Sequence, residues 1–185
     1  MKPFIVLLFP FVLFGCEASS RIETRRSHLD AVAVLKKTFE DLGGEVQLGR
    51  TDEVFMVVLN DTQITDAGLE HLTAMTSLDT LALDNTKITD AGLEHLSGLT
   101  SLRELYLRDT QITDAGLEHL KGLTSLETLN LRDTEITDAG LEHLKDLRSL
   151  ERLGIRDTQV TPEGFAEIMR YRQSKAARKN DDVRK

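Results

Sequence analysis

Four histidines in this sequence occur in a chemically suggestive pattern, because acidic residues accompany each one. The nine residues ITDAGLEHL begin at Ile64, Ile88, Ile112 and Ile136, and every copy contains an aspartate, a glutamate and a histidine. Such side chains serve enzymes as general acids, general bases and metal ligands. The identical repetition leaves two alternatives, a chemical site made four times or a structural unit without chemistry.

The placement of the histidines favours the structural alternative. Leu69 and Leu72 of the first copy are predicted to face the core, so the intervening Glu70 and His71 point to solvent. Neighbouring helices pack about 8–10 Å apart, whereas zinc binds nitrogens about 2.0–2.1 Å away, so one ion cannot readily collect two histidines. We therefore expect no catalytic residue, no metal site and no cofactor. The four histidines are His71, His95, His119 and His143.

Motifs and composition exclude further classes of function. The sequence contains no P-loop, dinucleotide-binding fingerprint, HExxH motif, GxSxG elbow or EF-hand loop. The formal net charge is −8, which disfavours nucleic acid as a partner, because that binding relies on Lys and Arg to neutralise phosphates. The single cysteine, Cys16, excludes an internal disulfide and a cysteine-based metal cluster.

The N-terminus is predicted to be a signal peptide. Lys2 precedes an apolar run from Phe4 to Phe14, which is shorter than the roughly 20 residues needed to span a bilayer. The run ends in LFGC at residues 13–16, which resembles the lipobox of bacterial lipoproteins. That resemblance implies cleavage before Cys16, diacylation of its sulfur, and a membrane-anchored lipoprotein of the bacterial cell envelope.

A second processing route remains open at this terminus. Phe14 departs from the lipobox, in which small or modest residues are usual at that position. The alternative is cleavage by the ordinary signal peptidase after residues 18–20, which would yield a soluble secreted or periplasmic protein.

A 24-residue period organises the sequence from Val54 to about Met169. One full unit, from Leu102 to Ser125, reads LRELYLRDTQITDAGLEHLKGLTS. Self-similarity at this interval indicates a solenoid. The pattern L-x-x-L-x-L-x-x-T-x-I-T-D-x-x-L-x-x-L resembles the leucine-rich repeat, and most closely its cysteine-containing subclass, with threonine at the ladder position. The resemblance implies an α/β fold, a right-handed β-α superhelix of about five repeats with an N-terminal helical cap.

Residue preferences within one unit are consistent with this fold. Thr113 is suited to cap the N-terminus of a helix, and Asp114 then lies in the first turn, where negative charge is favourable. Gly122 is expected to end the helix in the left-handed conformation. The ladder threonine, Thr110, is expected to bond backbone groups of the neighbouring coil.

The domain boundaries follow from these features. We predict a signal peptide at 1–15, a tether at 16–26, and a cap helix with an edge strand at 27–53. The repeats are predicted at 54–77, 78–101, 102–125, 126–149 and 150–169, followed by a basic polar tail at 170–185 that frays from a helix. The cap helix is inferred from apolar residues at helical spacing, which are Leu29, Val32, Leu35, Phe39 and Leu42. Gly43-Gly44 is expected to stop it, and Glu45 to Leu48 to form the edge strand.

The resemblance places partner binding on the concave face of the sheet, where the outward strand positions vary while the core positions hardly change. Tyr106 lies at the centre of this face, where a binding hot spot is expected. The candidate partner-binding residues are Met56, Val58, Thr80, Asp84, Glu104, Tyr106, Arg108, Asn130, Arg132, Arg152 and Arg156.

Three of these arginines have two interpretations. Arg108, Arg132 and Arg156 are predicted to stack at strand spacing, about 4.8 Å apart. In one interpretation the adjacent aspartates neutralise them as surface ion pairs. In the other, the guanidinium groups bind carboxylates of a peptide or polysaccharide. The sequence favours the first, since an aspartate follows each arginine.

The sequence therefore predicts an exported binding module that catalyses no reaction and is anchored to the envelope through Cys16. It would recruit a protein, peptide or glycan on its concave face, as a monomer. The alternative is a structural spacer or assembly link in the envelope. A third hypothesis, from resemblance to F-box leucine-rich repeat proteins, is an intracellular substrate-receptor adaptor, although no F-box is visible.

Overall fold

Six short strands form one sheet in chain order in the computed structural model, which describes residues 32–50 and 53–182. The strands are β1 (Glu45–Leu48), β2 (Val54–Val58), β3 (Thr80–Ala82), β4 (Glu104–Tyr106), β5 (Thr128–Asn130) and β6 (Arg152–Gly154). β2 to β6 are parallel with partners at the 24-residue interval, and β1 is antiparallel to β2. The predicted α/β solenoid is confirmed, since each 24-residue coil contributes one strand in the same register.

A helix or helical turn follows each parallel strand. The helices are α1 (32–41), α2 (Asp66–Leu69), α3 (Asp90–Glu94), α4 (Asp114–Leu117), α5 (Asp138–Leu141) and α6 (Pro162–Asp182). Short 3-10 segments extend α2, α4 and α5, at Glu70–Leu72, Glu118–Leu120 and Glu142–Leu144. The predicted N-cap is confirmed in α4, because the Thr113 hydroxyl accepts the Ala115 N–H at 3.3 Å.

Gly122 does not end its helix in the left-handed conformation, so that prediction is wrong. Gly43, which follows α1 with a φ of 90°, is the one glycine with a positive φ in the described part of the chain. The coil helix instead tightens, and the Leu123 N–H donates to the Leu120 carbonyl at 3.0 Å. Bonds of this 3-10 type satisfy the terminal carbonyls without a left-handed residue.

The left-handed residues lie in the turn that follows each parallel strand. Short aspartate and asparagine side chains tolerate this conformation better than other residues with a Cβ. The turn redirects the chain from the sheet toward the helical side of the coil. Its left-handed residues are Asp61, Asn85, Asp109, Asp133 and Asp157, with φ values from 54° to 59°.

Leucine and isoleucine side chains fill a continuous core between the sheet and the helices. The ladder threonines are buried at its edge, except for the half-buried Thr158 of the last coil, but they do not bond the neighbouring coil as predicted. The Thr110 hydroxyl donates to the Leu107 carbonyl of its own coil at 2.7 Å, because the turn brings that carbonyl back within reach. The core residues of that coil, all without exposed surface, are Leu102, Leu105, Leu107, Ile112, Leu117, Leu120 and Leu123.

An aspartate–threonine ladder connects the coils on the helical side. Asp114 accepts the backbone N–H of Thr137 at 2.8 Å with one carboxylate oxygen and the Thr137 hydroxyl at 2.6 Å with the other. The sequence predicted only a favourable charge for Asp114 in the first turn of its helix, and it did not predict these contacts between coils. The equivalent pairs are Asp66–Thr89, Asp90–Thr113 and Asp138–Thr161.

α1 covers the N-terminal end of the core. Its Val32 and Phe39 are buried, and Leu35 packs against the same cluster. Leu42 is 39% exposed, so its assignment to the apolar face is wrong, because the chain has left the helix for the turn at Gly43. Leu29, the signal peptide and the tether lie outside the described residues.

α6 covers the C-terminal end and is longer than expected. Ile168 is buried, and Phe165 and Met169 pack against the core. The predicted fraying is not observed up to Asp182, since one regular helix begins at Pro162 and continues to that residue. Among the residues described, no helix is both long and apolar enough to cross a membrane.

Candidate functional site

The predicted partner-binding residues lie on the side of the sheet opposite the leucine core, which we call the open face. Strand pairing aligns them in rows across the coils. One row contains Met56, Thr80, Glu104, Thr128 and Arg152, and the next contains Val58, Ala82, Tyr106, Asn130 and Gly154. Arg108 and its equivalents follow where the strands end. The structure therefore brings the candidate residues onto a single surface.

Exposure differs strongly along these rows. Met56 and Val58 are half-buried, whereas Arg108 is exposed. Thr80 is only 6% exposed, so it offers a partner almost no surface, contrary to its assignment as an outward contact. The reason is its register, because the longer side chains of Met56 and Glu104 flank it on the adjacent strands.

A polar cluster occupies the centre of the open face. The Tyr106 hydroxyl donates to a carboxylate oxygen of Glu104 at 3.0 Å. Arg152, two coils further on, places Nη2 3.8 Å from the other oxygen of Glu104, and its Nε donates to the Thr128 hydroxyl at 2.9 Å. Burial raises the pKa of Tyr106, and the bond to Glu104 raises it further. These contacts hold the tyrosine ring in place at the position expected for a hot spot.

Only one of the three stacked arginines is neutralised. Arg108 donates from Nε to Asp133 of the following coil at 2.9 Å, rather than to the adjacent Asp109. The hydrogen bond to Asp133 raises the pKa of Arg108. Arg132 and Arg156 have no ion-pair partner within residues 32–50 and 53–182. Ion pairing with the adjacent aspartate is therefore wrong for all three arginines, since Arg108 pairs with an aspartate of the next coil and the other two have no ion-pair partner among the described residues.

A further charged row was missed by the sequence analysis. Arg103 donates from Nε to Glu127 at 2.9 Å and lies 4.0 Å from Asp79. Phe55 holds the equivalent position in the first coil and is 42% exposed. The signal was present in the sequence, because charged residues recur at this position every 24 residues, as Asp79, Arg103, Glu127 and Glu151, but the prediction covered only the outward positions of the strands.

Two depressions of different chemistry lie on the open face. The N-terminal one has a volume of about 330 Å³ and is mainly acidic and amide-lined. Burial raises the pKa of Asp84 in this depression, although its bond to the Arg108 N–H opposes the change. The lining residues are Asn60, Asp61, Asp84, Asn85, Arg108 and Asp109.

The second depression, which we call the C-terminal groove, has a volume of about 510 Å³. It combines cationic and apolar side chains, because it lies where the sheet ends against α6. Tyr106 and Asn130 line it together with Arg132, Arg152 and Arg172. Leu153, Phe165 and Met169 form its apolar wall. Arg156, although a candidate, is not among its lining residues.

The histidines lie on the helical side, one per coil, away from the open face. His71 is exposed, and the other three are half-buried. Among the described residues, no group of three or more His, Cys, Asp and Glu side chains is arranged to hold a metal ion. Beside two of the histidines the preceding glutamate binds a lysine, Glu118 with Lys121 at 2.9 Å and Glu142 with Lys145 at 2.6 Å. The bond to Lys121 lowers the pKa of Glu118.

Comparison with known families identifies the repeat. The sequence model described as Leucine rich repeat matches residues 54–112 and 101–160. Together these segments cover more than half of the chain. No curated protein matches the sequence.

Several solved structures are similar to part of this chain. An internalin from Listeria monocytogenes has 25% identity over 62% of this chain and 38% of its own, with a TM-score of 0.42. The ectodomain of the plant receptor kinase GASSHO1/SCHENGEN3 from Arabidopsis thaliana, solved in complex with CASPARIAN STRIP INTEGRITY FACTOR 2, has 20% identity over 66% of this chain and 15% of its own, with a TM-score of 0.49.

The BIR2 ectodomain from Arabidopsis thaliana has 16% identity, with a TM-score of 0.48. The match covers 63% of this chain and 62% of that ectodomain. This chain thus spans less than two thirds of each of the three proteins compared.

Proposed function

Because this chain belongs to the leucine-rich repeat family, we propose that it is an exported, lipid-anchored binding module that recruits a protein, peptide or glycan on its open face. The observation that carries this proposal is the contrast between the two sides of each coil. Core positions such as Leu105 and ladder positions such as Thr110 repeat almost unchanged, whereas the open-face positions vary from coil to coil. Repetition maintains the scaffold, and the varied face is available for recognition.

The open face has the chemistry of a recognition surface. Tyr106 combines an aromatic ring with a hydroxyl fixed by Glu104, and tyrosine is enriched among binding hot spots. Arg132 and Arg156 have guanidinium groups that bind carboxylates in bidentate geometry. The depression around Asp84 is acidic and lies at the N-terminal end of the open face, opposite the arginine-rich C-terminal end. A partner with a matching charge gradient would bind in one orientation.

The size of the face limits the kind of complex. Five parallel strands about 4.8 Å apart, each exposing roughly 20 Å when the flanking residues of its coil are included, offer on the order of 500 Å². A standard protein interface takes about 800 Å² from each partner. We therefore propose a modest or transient protein contact on this face, or a peptide or glycan strand that lies along it.

Export and anchoring rest on the LFGC sequence at residues 13–16. From Cys16 to Ser27 is a segment of eleven residues, which reaches at most about 36–40 Å when extended. A diacylated Cys16 would therefore keep the repeats close to the membrane and limit the search for partners to the envelope. Soluble release after residues 18–20 is the alternative.

Intact mass spectrometry of the mature protein from its native host tests the anchor. We expect a new N-terminus at Cys16 carrying a diacylglycerol, and loss of both the lipid mass and membrane association in Cys16→Ser. A chain cut after residues 18–20 would support the soluble form. An unprocessed chain in the cytoplasm would contradict export and favour the intracellular adaptor.

Site-specific photo-crosslinking tests the open face separately. A benzoyl-phenylalanine in place of Tyr106 is expected to yield a discrete crosslinked species in cells, while the same residue in place of His119 on the helical side yields none. Arg132→Ala should reduce that species. Equal crosslinking from both positions, or from neither, would favour the alternative role as a structural spacer in the envelope.

A further inference from the structure

Within the described residues, β6 is the last strand of the sheet and its outer edge is unpaired. In the preceding coil the Leu131 N–H donates to the Gly154 carbonyl at 2.8 Å, and the Asp133 N–H donates to the Arg156 carbonyl at 3.0 Å. The equivalent donors in the last coil are the N–H groups of Ile155 and Asp157, and neither has an acceptor in the described part of the chain. Ile155 directly follows β6 and Asp157 lies in the left-handed turn after it, as their bonded equivalents do in the preceding coil, so these two donors form an edge to which a further strand can pair.

The core is also open at this edge. The strand leucines of the inner coils, such as Leu105 and Leu129, have no exposed surface, whereas Leu153 of β6 is only half-buried. Ile155 and Val160 of the same coil are half-buried as well. α6 does not cover these residues fully, and the C-terminal groove lies beside them with Phe165 and Met169 in its wall. An apolar side chain from a seventh strand would complete their burial.

Charge defines which strand fits. Arg108 binds Asp133 of the next coil, and that carboxylate follows two core leucines in the sequence Leu129-Asn130-Leu131-Arg132-Asp133. Arg156 holds the same position in the last coil and has no ion-pair partner among the described residues. A strand that continues the stack would therefore present two apolar residues to the core and a carboxylate to Arg156.

We propose that β6 is a docking edge for an extended acidic–apolar peptide segment of a partner protein, which adds as a seventh, parallel strand with the spacing Leu-x-Leu-x-Asp. Its backbone accepts from Ile155 and Asp157, its leucines cover Leu153 and Ile155, and its carboxylate pairs with Arg156. This is β-strand addition, in which main-chain bonds supply affinity and side-chain pockets supply specificity.

A second copy of this chain fits the edge poorly. Two β6 strands related by a two-fold axis through Gly154 would pair antiparallel and place Arg152 opposite Arg156 of the other copy. Like charges directly opposite each other destabilise a strand pair. The groove also contains Arg132 and Arg172, which together with Arg152 outnumber its one carboxylate, Glu151, and keep the charge near the edge positive. These charges favour an acidic strand over self-association.

The probe is a fluorescein-labelled, end-blocked peptide with the sequence of residues 126–133, LETLNLRD, titrated into the full chain. We expect saturable binding by fluorescence anisotropy and, by NMR, at least tenfold slower hydrogen exchange at Ile155 and Asp157. The Asp109 N–H, already bonded to the Arg132 carbonyl at 2.9 Å, serves as the internal reference and should not change.

A matched pair of variants tests the charge contact. Arg156→Gln should weaken binding of this peptide by about two- to fivefold, the range for an exposed ion pair. A peptide with asparagine in place of its last aspartate should bind the wild-type chain more weakly by the same factor. Its affinity for the Arg156→Gln chain should be no lower than that of the original peptide. Arg108→Gln, in the same row but away from the edge, should leave the affinity unchanged.

Three outcomes would overturn the proposal. The first is no saturable binding at peptide concentrations up to millimolar. The second is binding without slower hydrogen exchange at Ile155 or Asp157. The third is slow exchange at both amides without peptide, in a dimer detected by sedimentation. None of these involves Cys16 or the crosslinking at Tyr106. Failure at the edge therefore leaves the proposed function standing, and failure of the anchor or of the open face leaves the edge proposal standing.

Discussion

The aspartate that opens each helix determines how closely neighbouring coils stack. Its carboxylate lies against a glycine in the helix of the next coil, the second residue after that helix's own first aspartate. A Cβ on this glycine would overlap the carboxylate. At Gly140 an added Cβ would lie 2.2 Å from Asp114 Oδ1, and at Gly116 it would lie 2.3 Å from Asp90 Oδ1. These carboxylates are fixed by bonds to threonine, so they cannot move aside without losing a contact.

Gly140→Ala should therefore destabilise the fold by about 1–3 kcal/mol, the range for overpacking. Gly98 is the matched control, because a Cβ there meets nothing within 4 Å. Gly98→Ala should raise the free energy of unfolding by up to about 1 kcal/mol, since it restricts the unfolded chain. Urea unfolding measures both, and equal effects would contradict a ladder that requires glycine.

Asp84 gives the open face a pH-dependent contribution to stability. Burial raises its pKa, so between the ordinary aspartate pKa and the raised value the folded chain holds more protons than the unfolded chain. The contribution of this group to the free energy of unfolding therefore falls as pH rises through that window. Its Oδ1 still accepts the Arg108 N–H at 2.7 Å, a bond that an amide oxygen can also accept.

Asp84→Asn should be at least as stable as the wild type at pH 7, because it retains the acceptor and removes a charge that burial disfavours. Asn60 shows that the geometry is available, since its Oδ1 accepts the Asp84 N–H at 2.8 Å. Urea unfolding at several pH values should show the advantage disappearing as pH falls below the ordinary aspartate pKa. An advantage that grows in acid would disprove the effect of burial.

Among the elements, α6 differs from the other helices because it ends the stack. Arg172 reaches back from α6 and donates to the carbonyls of Leu147 and Leu150, which precede β6. Desolvation lowers the pKa of this arginine, because its guanidinium group is partly buried against the core. Hydrogen bonds from charged donors contribute more than neutral ones, so this contact is a principal attachment of the C-terminal cap.

Arg172→Met should lower the free energy of unfolding by about 1–3 kcal/mol, because it leaves the two carbonyls without their charged donor while retaining the apolar stem. Arg170 is the matched control on the same helix, since it is exposed and its Nε donates only to the Ala166 carbonyl within α6. Arg170→Met should change stability by less than about 0.5 kcal/mol. Equal losses would mean that Arg172 contributes through helix propensity alone.

At the scale of the whole molecule, the aspartate–threonine ladder joins each coil to its neighbour, as expected of a solenoid, while the Arg152–Glu104 pair reaches across one coil. Asp90 bonds Thr113 in the next coil with the geometry that Asp114 uses for Thr137. The coils are therefore interchangeable in their internal contacts, while their open-face residues differ.

Deletion of residues 102–125 should therefore leave a folded solenoid with one coil fewer, in which Asp90 bonds Thr137. We expect a cooperative urea transition with a lower midpoint and a smaller m-value, since less surface is exposed on unfolding. Deletion of residues 102–113, half a period, should abolish folding because it places strand residues against helices. If both deletions unfolded the chain, the coils would not be interchangeable.

Much of this architecture was predictable from the sequence. The period, the inward leucines and the Thr113 cap follow from short-range preferences repeated at one interval, and equal intervals impose the parallel register of Met56 with Thr80 and Glu104. The rows of the open face followed from the same register. Even so, Thr80 was expected at the surface and is buried, because exposure depends on the lengths of the neighbouring side chains.

The sequence by itself determined the repeat, the core and the surface on which recognition residues gather, because those features depend on spacing along the chain. Only the tertiary structure decided which atoms meet between coils. Arg108 binds Asp133 instead of its neighbour Asp109, and Asp114 holds Thr137, since those contacts depend on the distance and orientation of residues 23–25 positions apart. The unpaired edge of β6 in the described part of the chain likewise became visible only in three dimensions, because it depends on which backbone donors find acceptors in neighbouring strands.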